Sequence, residues 1–253
     1  AQLESEGMTI HTSITVERVS RNVDETRVEC SNGVVLSTDA LLVAVGRRPV
    51  VEGLGLDKAG VIHTAKGIQV DRRQRTSRRH IFACGDVCGP YPLTHIAEYQ
   101  AGIVISNAIF RIPKKTDYRV VPWATYTDPE LARVGMTEQQ AREKGIEPVI
   151  LRFPFRQIDR ALIDRQEAGF AKMVVHKGRV LGASILGGHA GELIHEIVLA
   201  MKTGARIADI SATIHAYPTL AQVHRRAVNT WYGRKLFSPA TRGLVRWINR
   251  LLP

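Results

Sequence analysis

The chain has 253 residues, 44 % of them apolar and 23 % charged, enough for one or two domains with a real core. No run reaches the ~18 uninterrupted apolar residues of a membrane span. The formal charge of +11 points to an anionic partner, but aromatics are only 6 % and none interleaves the arginine cluster 72, 73, 75, 78 and 79. That argues against a base-stacking surface, so no nucleic-acid partner is expected and the cluster reads as a solvated loop.

The opening residues read as the end of a helix running into Gly7, as in a segment cut from something longer. Apolar alternation predicts hairpin strands at residues 14–19, 26–30 and 34–36, with Asn32-Gly33 as a tight turn. Residues 41–45 form a continuous apolar run before Gly46, the pattern of a strand buried on both faces. A loop-rich stretch, 52–79, precedes another short buried strand at 81–84 and a helix from about Thr94 to Phe110. Polar residues 113–117 mark a domain boundary. Beyond it the pattern predicts strands at 123–127, 148–155, 170–176 and 179–186, and helices at 137–144, 190–203 and 207–213. Such segregated strands and helices indicate an α+β domain.

Ala83-Cys-Gly-Asp86 is the first chemically informative string. A strand delivering Gly-Asp to a turn sets a carboxylate at the carboxyl edge of a sheet, where open α/β sheets bind ligands. Gly85 permits close backbone approach, and Asp86 can accept from sugar-like hydroxyls. A plain Gly-Asp turn is the structural alternative. The helix starting at Leu93, Thr94 and His95 would aim N–H groups and a positive dipole end at an electron-rich ligand atom. An ordinary N-cap at Thr94 is the alternative there.

Taken in order, several strings resemble the class I flavoprotein (pyridine nucleotide-disulfide) oxidoreductases, among them lipoamide dehydrogenase and mercuric reductase. They are Leu42-Val-Ala-Val-Gly-Arg-Arg-Pro49, Glu52-Gly-Leu-Gly-Leu56, Ile81-Phe-Ala-Cys-Gly-Asp-Val87 and Pro92-Leu-Thr-His95. The likeness continues through Val121-Pro-Trp-Ala-Thr-Tyr-Thr-Asp-Pro-Glu130, Val134-Gly-Met-Thr-Glu138, Gly187-Gly-His-Ala-Gly-Glu-Leu-Ile194 and Ile214-His-Ala-Tyr-Pro-Thr-Leu220. The resemblance implies α/β remnants of NAD(P)- and FAD-binding domains followed by an α+β dimerisation (interface) domain. Residues 1–46 would end the NAD(P)-binding domain, 47–117 would close the FAD-binding domain, 118–232 would form the dimerisation domain, and 233–253 would be a basic amphipathic tail. FAD and NAD(P) are the implied cofactors. Gly46 would lie near NAD(P). Gly85 and Asp86 would meet the flavin's ribityl chain, and the backbone of Leu93, Thr94 and His95 its pyrimidine edge. A homodimer is implied, with Tyr217 of one subunit near the other's thiols.

The departures from the family shape the expected chemistry. Neither a glycine-rich phosphate fingerprint nor a C-x4-C pair occurs, so N-terminal FAD/NAD(P) segments are expected as missing partners. Cys84 and Cys88 read as a core residue and a loop thiol. Three unevenly spaced cysteines fit a reducing, cytoplasmic setting. Lipoamide dehydrogenases carry a His–Glu pair where this chain has Tyr217 and Gln222, whereas mercuric reductases place Tyr at the first position. The mercuric-reductase-like reading gains, although the C-terminal cysteine pair of those enzymes is absent. The spacing of His189, Glu192, His195 and Glu196 is not His-Glu-x-x-His, and no metal site is expected. In the tail, Leu244, Val245, Trp247, Ile248, Leu251 and Leu252 share one helical face and Arg242, Arg246 and Arg250 lie elsewhere. Two readings stay open for 241–253: a helix docked on its own protein, or one resting on an anionic membrane. The expected function is that of the C-terminal portion of an NAD(P)H-using flavoenzyme. The alternative is a non-catalytic dimerisation module.

Overall fold

A computed structural model describes residues 2–23 and 25–251, apart from the side chain of Lys235. Two compact units divide it, Ala1–Thr116 and Asp117–Pro253.

The first unit opens with helix α1 (Gln2–Ser5) and an antiparallel sheet ordered β1-β2-β3, from Val16–Arg21, Thr26–Cys30 and Val35–Thr38. In β2 the side chains of Thr26, Val28 and Cys30 point inward and are buried, the period-two pattern of a half-buried strand. The turn closes as expected, with Gly33 at φ 80° donating to the Cys30 carbonyl at 2.9 Å. The predicted strand at 41–45 does not form: Leu42 and Val45 are at least 90 % exposed. No described strand pairs with this run, and an apolar stretch without a ladder partner cannot be a central strand.

Helix α2 (Leu56–Ala59) and the short hairpin β4–β5 (His63–Thr64, Gly67–Ile68) follow. A small core gathers Val51, Leu56, Val61, Ile68 and Ala83, flanked by Val70, Ile81 and Val87. The second predicted strand, 81–84, is also corrected. It makes one isolated bridge, Phe82 to Arg75, and is held by packing rather than by a sheet. Arg72 and Arg78 donate to the carbonyls of Thr116 and Gly60 at 3.0 and 3.1 Å. The arginine loop is therefore tied down at two points as well as solvated. Helix α3 (Thr94–Ala108) ends the unit, burying Ile96, Gln100 and Ile103 along one side.

The second unit is an antiparallel five-stranded sheet ordered β6-β7-β10-β9-β8. Its strands are β6 Pro122–Thr125, β7 Glu130–Gly135, β8 Val149–Pro154, β9 Phe170–His176 and β10 Arg179–Gly187. Between them lie α4 (Glu138–Glu143) and α5 (Asp159–Ile163), and after them α6 (Ala190–Thr203), α7 (Ile207–Ala212), α8 (Gln222–Leu236) and α9 (Pro239–Leu251). The register aligns Leu151, Met173, Ala183 and Val134 in one row of inward side chains. Helix α6 covers β6, β7 and β10, and α8 covers β8 and β9, so both close over one face of the sheet. The core between them holds Phe155, Ile185, Ile194, Ile197, Val223 and Val228, each almost fully buried. On the other face a row runs Trp123, Arg133, Ser184, Lys172 and Arg152. There Arg133 stacks 5.0 Å over Trp123 and Arg152 3.7 Å over Phe170.

Three elements of this unit go beyond the predicted pattern, strand β7 and helices α5 and α8. The tail is helical from Pro239, two residues before the predicted start, and Leu252 lies outside the described residues. No helix among the described residues is long and apolar enough to cross a membrane.

Candidate functional site

The predicted cofactor-binding residues fall in the first unit, on the turn after residues 81–84 and at the start of α3. Gly85 is buried at φ 80°, a conformation that favours glycine, and an added Cβ would sit 3.2 Å from the Ala97 Cβ. Its N–H donates to the Gln100 Oε1 at 2.6 Å. Gln100 is fully buried, and its Nε2 donates to the Gly89 carbonyl at 2.9 Å. One side chain of α3 thus holds both ends of the 85–89 turn, a role sequence reasoning missed.

Asp86 projects outward from that turn, with Arg47 Nη1 3.6 Å from its carboxylate. Both side chains are well exposed, so this ion pair contributes little by itself. Asp86, Arg47, Arg48 and Lys66 line a cleft of about 410 Å3 with Gly89 and Pro92. Three cations against one carboxylate suit an anionic ligand that also carries hydroxyls.

At the helix start, Leu93 accepts from the amides of Ile96 and Ala97, both at 3.0 Å, and donates its own N–H to the Tyr91 carbonyl at 2.9 Å. Its backbone is therefore engaged within the chain, and the exposed Thr94 and His95 continue the first turn. Thr94 is not the N-cap: Leu93 holds that position, with no side-chain cap. Gly46 is exposed at φ 131° beyond the unformed strand, with open space around its Cα. Burial first, then the neighbouring Cys84, pushes the Cys88 thiol up to about 11. It stays protonated near neutral pH, unlike a reactive thiolate.

The predicted catalytic residues fall in the second unit, Tyr217 between α7 and α8 and Gln222 at the first position of α8. Tyr217 is 68 % exposed, and its hydroxyl donates to the Asp159 carboxylate at the start of α5. That bond, then the Asp159 charge and partial desolvation, holds the phenol above its ordinary value, with Arg226 opposing. Gln222 does not reach Tyr217: its amide donates to the Ala216 carbonyl at 3.3 Å. A His–Glu pair exists elsewhere, with His215 Nε2 3.1 Å from Glu196 Oε1 and its Nδ1 3.0 Å from the Thr213 carbonyl. His224 is wholly buried beside it, its Nε2 3.9 Å from Glu196. Asp159 lies far from Tyr217 in sequence and carries no motif, so no sequence signal found it, whereas His215 stands two residues before Tyr217 and meets Glu196 of α6 only through folding. Among the described residues no group of three or more His, Cys, Asp or Glu could hold a metal ion.

Two family profiles match the chain in tandem. Residues 1–101 match the family described as pyridine nucleotide-disulphide oxidoreductase, and 121–228 match its dimerisation domain. The chain belongs to the pyridine nucleotide-disulphide oxidoreductase family. Members of this family use FAD and NAD(P). Dihydrolipoyl dehydrogenase 3 of Haloarcula marismortui is 39 % identical over 86 % of the chain and 44 % of its own length. Dihydrolipoyl dehydrogenase of Geobacillus stearothermophilus is 38 % identical over 92 % of the chain and 50 % of its own length. The chain therefore spans about half the length of these relatives. Among solved structures, the HOCl-induced flavoprotein disulfide reductase RclA from Escherichia coli is similar with a TM-score of 0.84 and 31 % identity. That match covers 90 % of this chain and 53 % of RclA.

Proposed function

We propose that this oxidoreductase chain is the C-terminal portion of an FAD-dependent, NAD(P)H-using enzyme, closer in its acceptor chemistry to mercuric reductases than to dihydrolipoyl dehydrogenases. The observation that carries the acceptor reading is Tyr217 hydrogen-bonded to Asp159, at the position where the lipoamide enzymes are expected to hold an imidazole. A phenol held above its ordinary value keeps its proton near neutral pH and is a poor general base. Gln222, turned to the Ala216 carbonyl, has no charge to stabilise an imidazolium. Deprotonating a dithiol is therefore not what this pair is built for. With its one proton given to Asp159, the partly exposed hydroxyl instead turns oxygen lone pairs outward, toward an electron-poor acceptor such as a metal cation.

The first unit fits a flavin dinucleotide. Gly85 has no side chain to bar close approach, Gln100 fixes the turn, and Arg47, Arg48 and Lys66 line the cleft beside Asp86. Asp86 would accept from ribityl hydroxyls, the cations would face the diphosphate, and the amides of Thr94 and His95 would favour electron density at the ring. When bound, the flavin supplies the hydride and electron transfer, and the protein supplies binding and tuning. Gly46 would stand near the nicotinamide nucleotide. The dimerisation domain would pair two copies.

Rapid-mixing kinetics on the complete protein test the acceptor role. Tyr217→Phe should leave flavin reduction by NAD(P)H unchanged and slow reoxidation by the acceptor by about tenfold or more, the scale of one lost oxygen contact of about 1.4 kcal/mol. Equal slowing of both half-reactions would remove Tyr217 from acceptor chemistry.

A further inference from the structure

Nothing in the flavin or acceptor reading uses the end of the chain. After Asp209 the sequence has seven Lys or Arg and no Asp or Glu. Helix α9 lies within this stretch, beginning 11 residues beyond the dimerisation profile, which ends at residue 228. It starts on its own signals. Pro239 takes the first position, and the Ser238 Oγ accepts from the Thr241 N–H at 3.2 Å.

At about 100° per residue, Leu244, Val245, Trp247, Ile248 and Leu251 fall within about 160° of arc, and Arg242, Arg246 and Arg250 within about 80° centred opposite. The apolar side is open: Leu244, Trp247 and Leu251 are 55, 60 and 59 % exposed. A second copy laid against this face would bring together two stretches that hold only positive charge, with no acidic residue to offset the repulsion. An anionic bilayer surface satisfies both faces at once. We propose that α9 lies in the plane of such a surface, its apolar side at the acyl boundary and its arginines among the lipid phosphates. Trp247 sits on the apolar side, and indole favours that boundary layer.

Co-sedimentation of the intact chain with vesicles tests this without relying on any enzymatic reading. The chain should pellet with phosphatidylcholine–phosphatidylserine vesicles, stay in solution with phosphatidylcholine alone, and be released by raised salt. One basic residue near such a surface changes partitioning about fivefold, so Arg242→Glu/Arg246→Glu/Arg250→Glu should weaken it by at least about a hundredfold. The matching triple change to Lys should retain binding, which separates lost charge from lost folding. Trp247→Ser/Leu251→Ser should also release the chain. Failure to pellet, equal pelleting on both vesicle types, or indifference to the triple Glu change would overturn the proposal. If vesicles are ignored and self-association is lost in the Trp247→Ser variant, the face belongs to a second copy, and the proposal is again overturned.

Discussion

His224 packs into the core of the second unit with its Nε2 3.0 Å from the Leu193 carbonyl, while its Nδ1 has no hydrogen-bond partner. Burial pushes this imidazole below its ordinary value and His215 adds to the effect, whereas Glu196 and the Leu193 carbonyl oppose it. The native ring is therefore neutral under conditions where an unfolded chain, with an ordinary value of about 6.5, begins to take up a proton. Stability is full above that value and falls as pH drops below it toward the depressed native value. The thermal midpoint should be lower near about pH 5 than near about pH 7.5, and His224→Gln, which keeps a donor for Leu193, should narrow the difference. An unchanged pH dependence in that variant would assign the effect to other groups. Tyr217 differs from His224 in being exposed, and its Asp159 partner adjusts a proton at the surface rather than stability in the core.

Helix α3 does more than present a first turn to a ligand, because Gln100 on its buried side ties down the Gly85–Gly89 turn that carries Asp86. Gln100→Ala would strand a buried N–H and a carbonyl, at about 1–3 kcal/mol for each group left unsatisfied. Urea unfolding should show that loss in the first unit, and a midpoint shift below the error of the method would mean the turn holds without it. Helix α6 and strands β8 to β10 were legible because their apolar positions recur with clean periods. Strand β7 was not, since its only inward side chains, Ala132 and Val134, alternate with an outward apolar Leu131 as well as Arg133, which blurs the period-two signal. Helix α8 was hidden for a related reason, as its buried side includes His224 beside Val223, Ala227 and Val228. Residues 41–45 erred the other way. Their apolar content reads as a central strand, yet hydrophobicity carries no information about which strands stand beside it. Asp86 was visible as a Gly-Asp string, but Gln100 and Asp159 reach their partners only through folding.

Across the whole molecule, two units divide the work: one carries the cationic cleft and the Gly85–Asp86 turn, the other the antiparallel sheet of the dimerisation domain with Tyr217 and the cationic tail. The family assignment rests on both, since each profile matches one of them. The chain covers 44 to 50 % of the dihydrolipoyl dehydrogenases described above, so the proposed turnover belongs to a complete protein. The proposed flavin contacts, by contrast, can be tested at a single side chain. The most direct measurement is the visible absorption spectrum of the complete protein after desalting, for the wild type and for Asp86→Ala. The wild type should retain its flavin band and Asp86→Ala should lose most of it, because an exposed carboxylate can be removed without disturbing the core while its ligand hydroxyls lose their acceptor. Equal flavin retention in the two proteins would contradict the assignment of this turn to the cofactor.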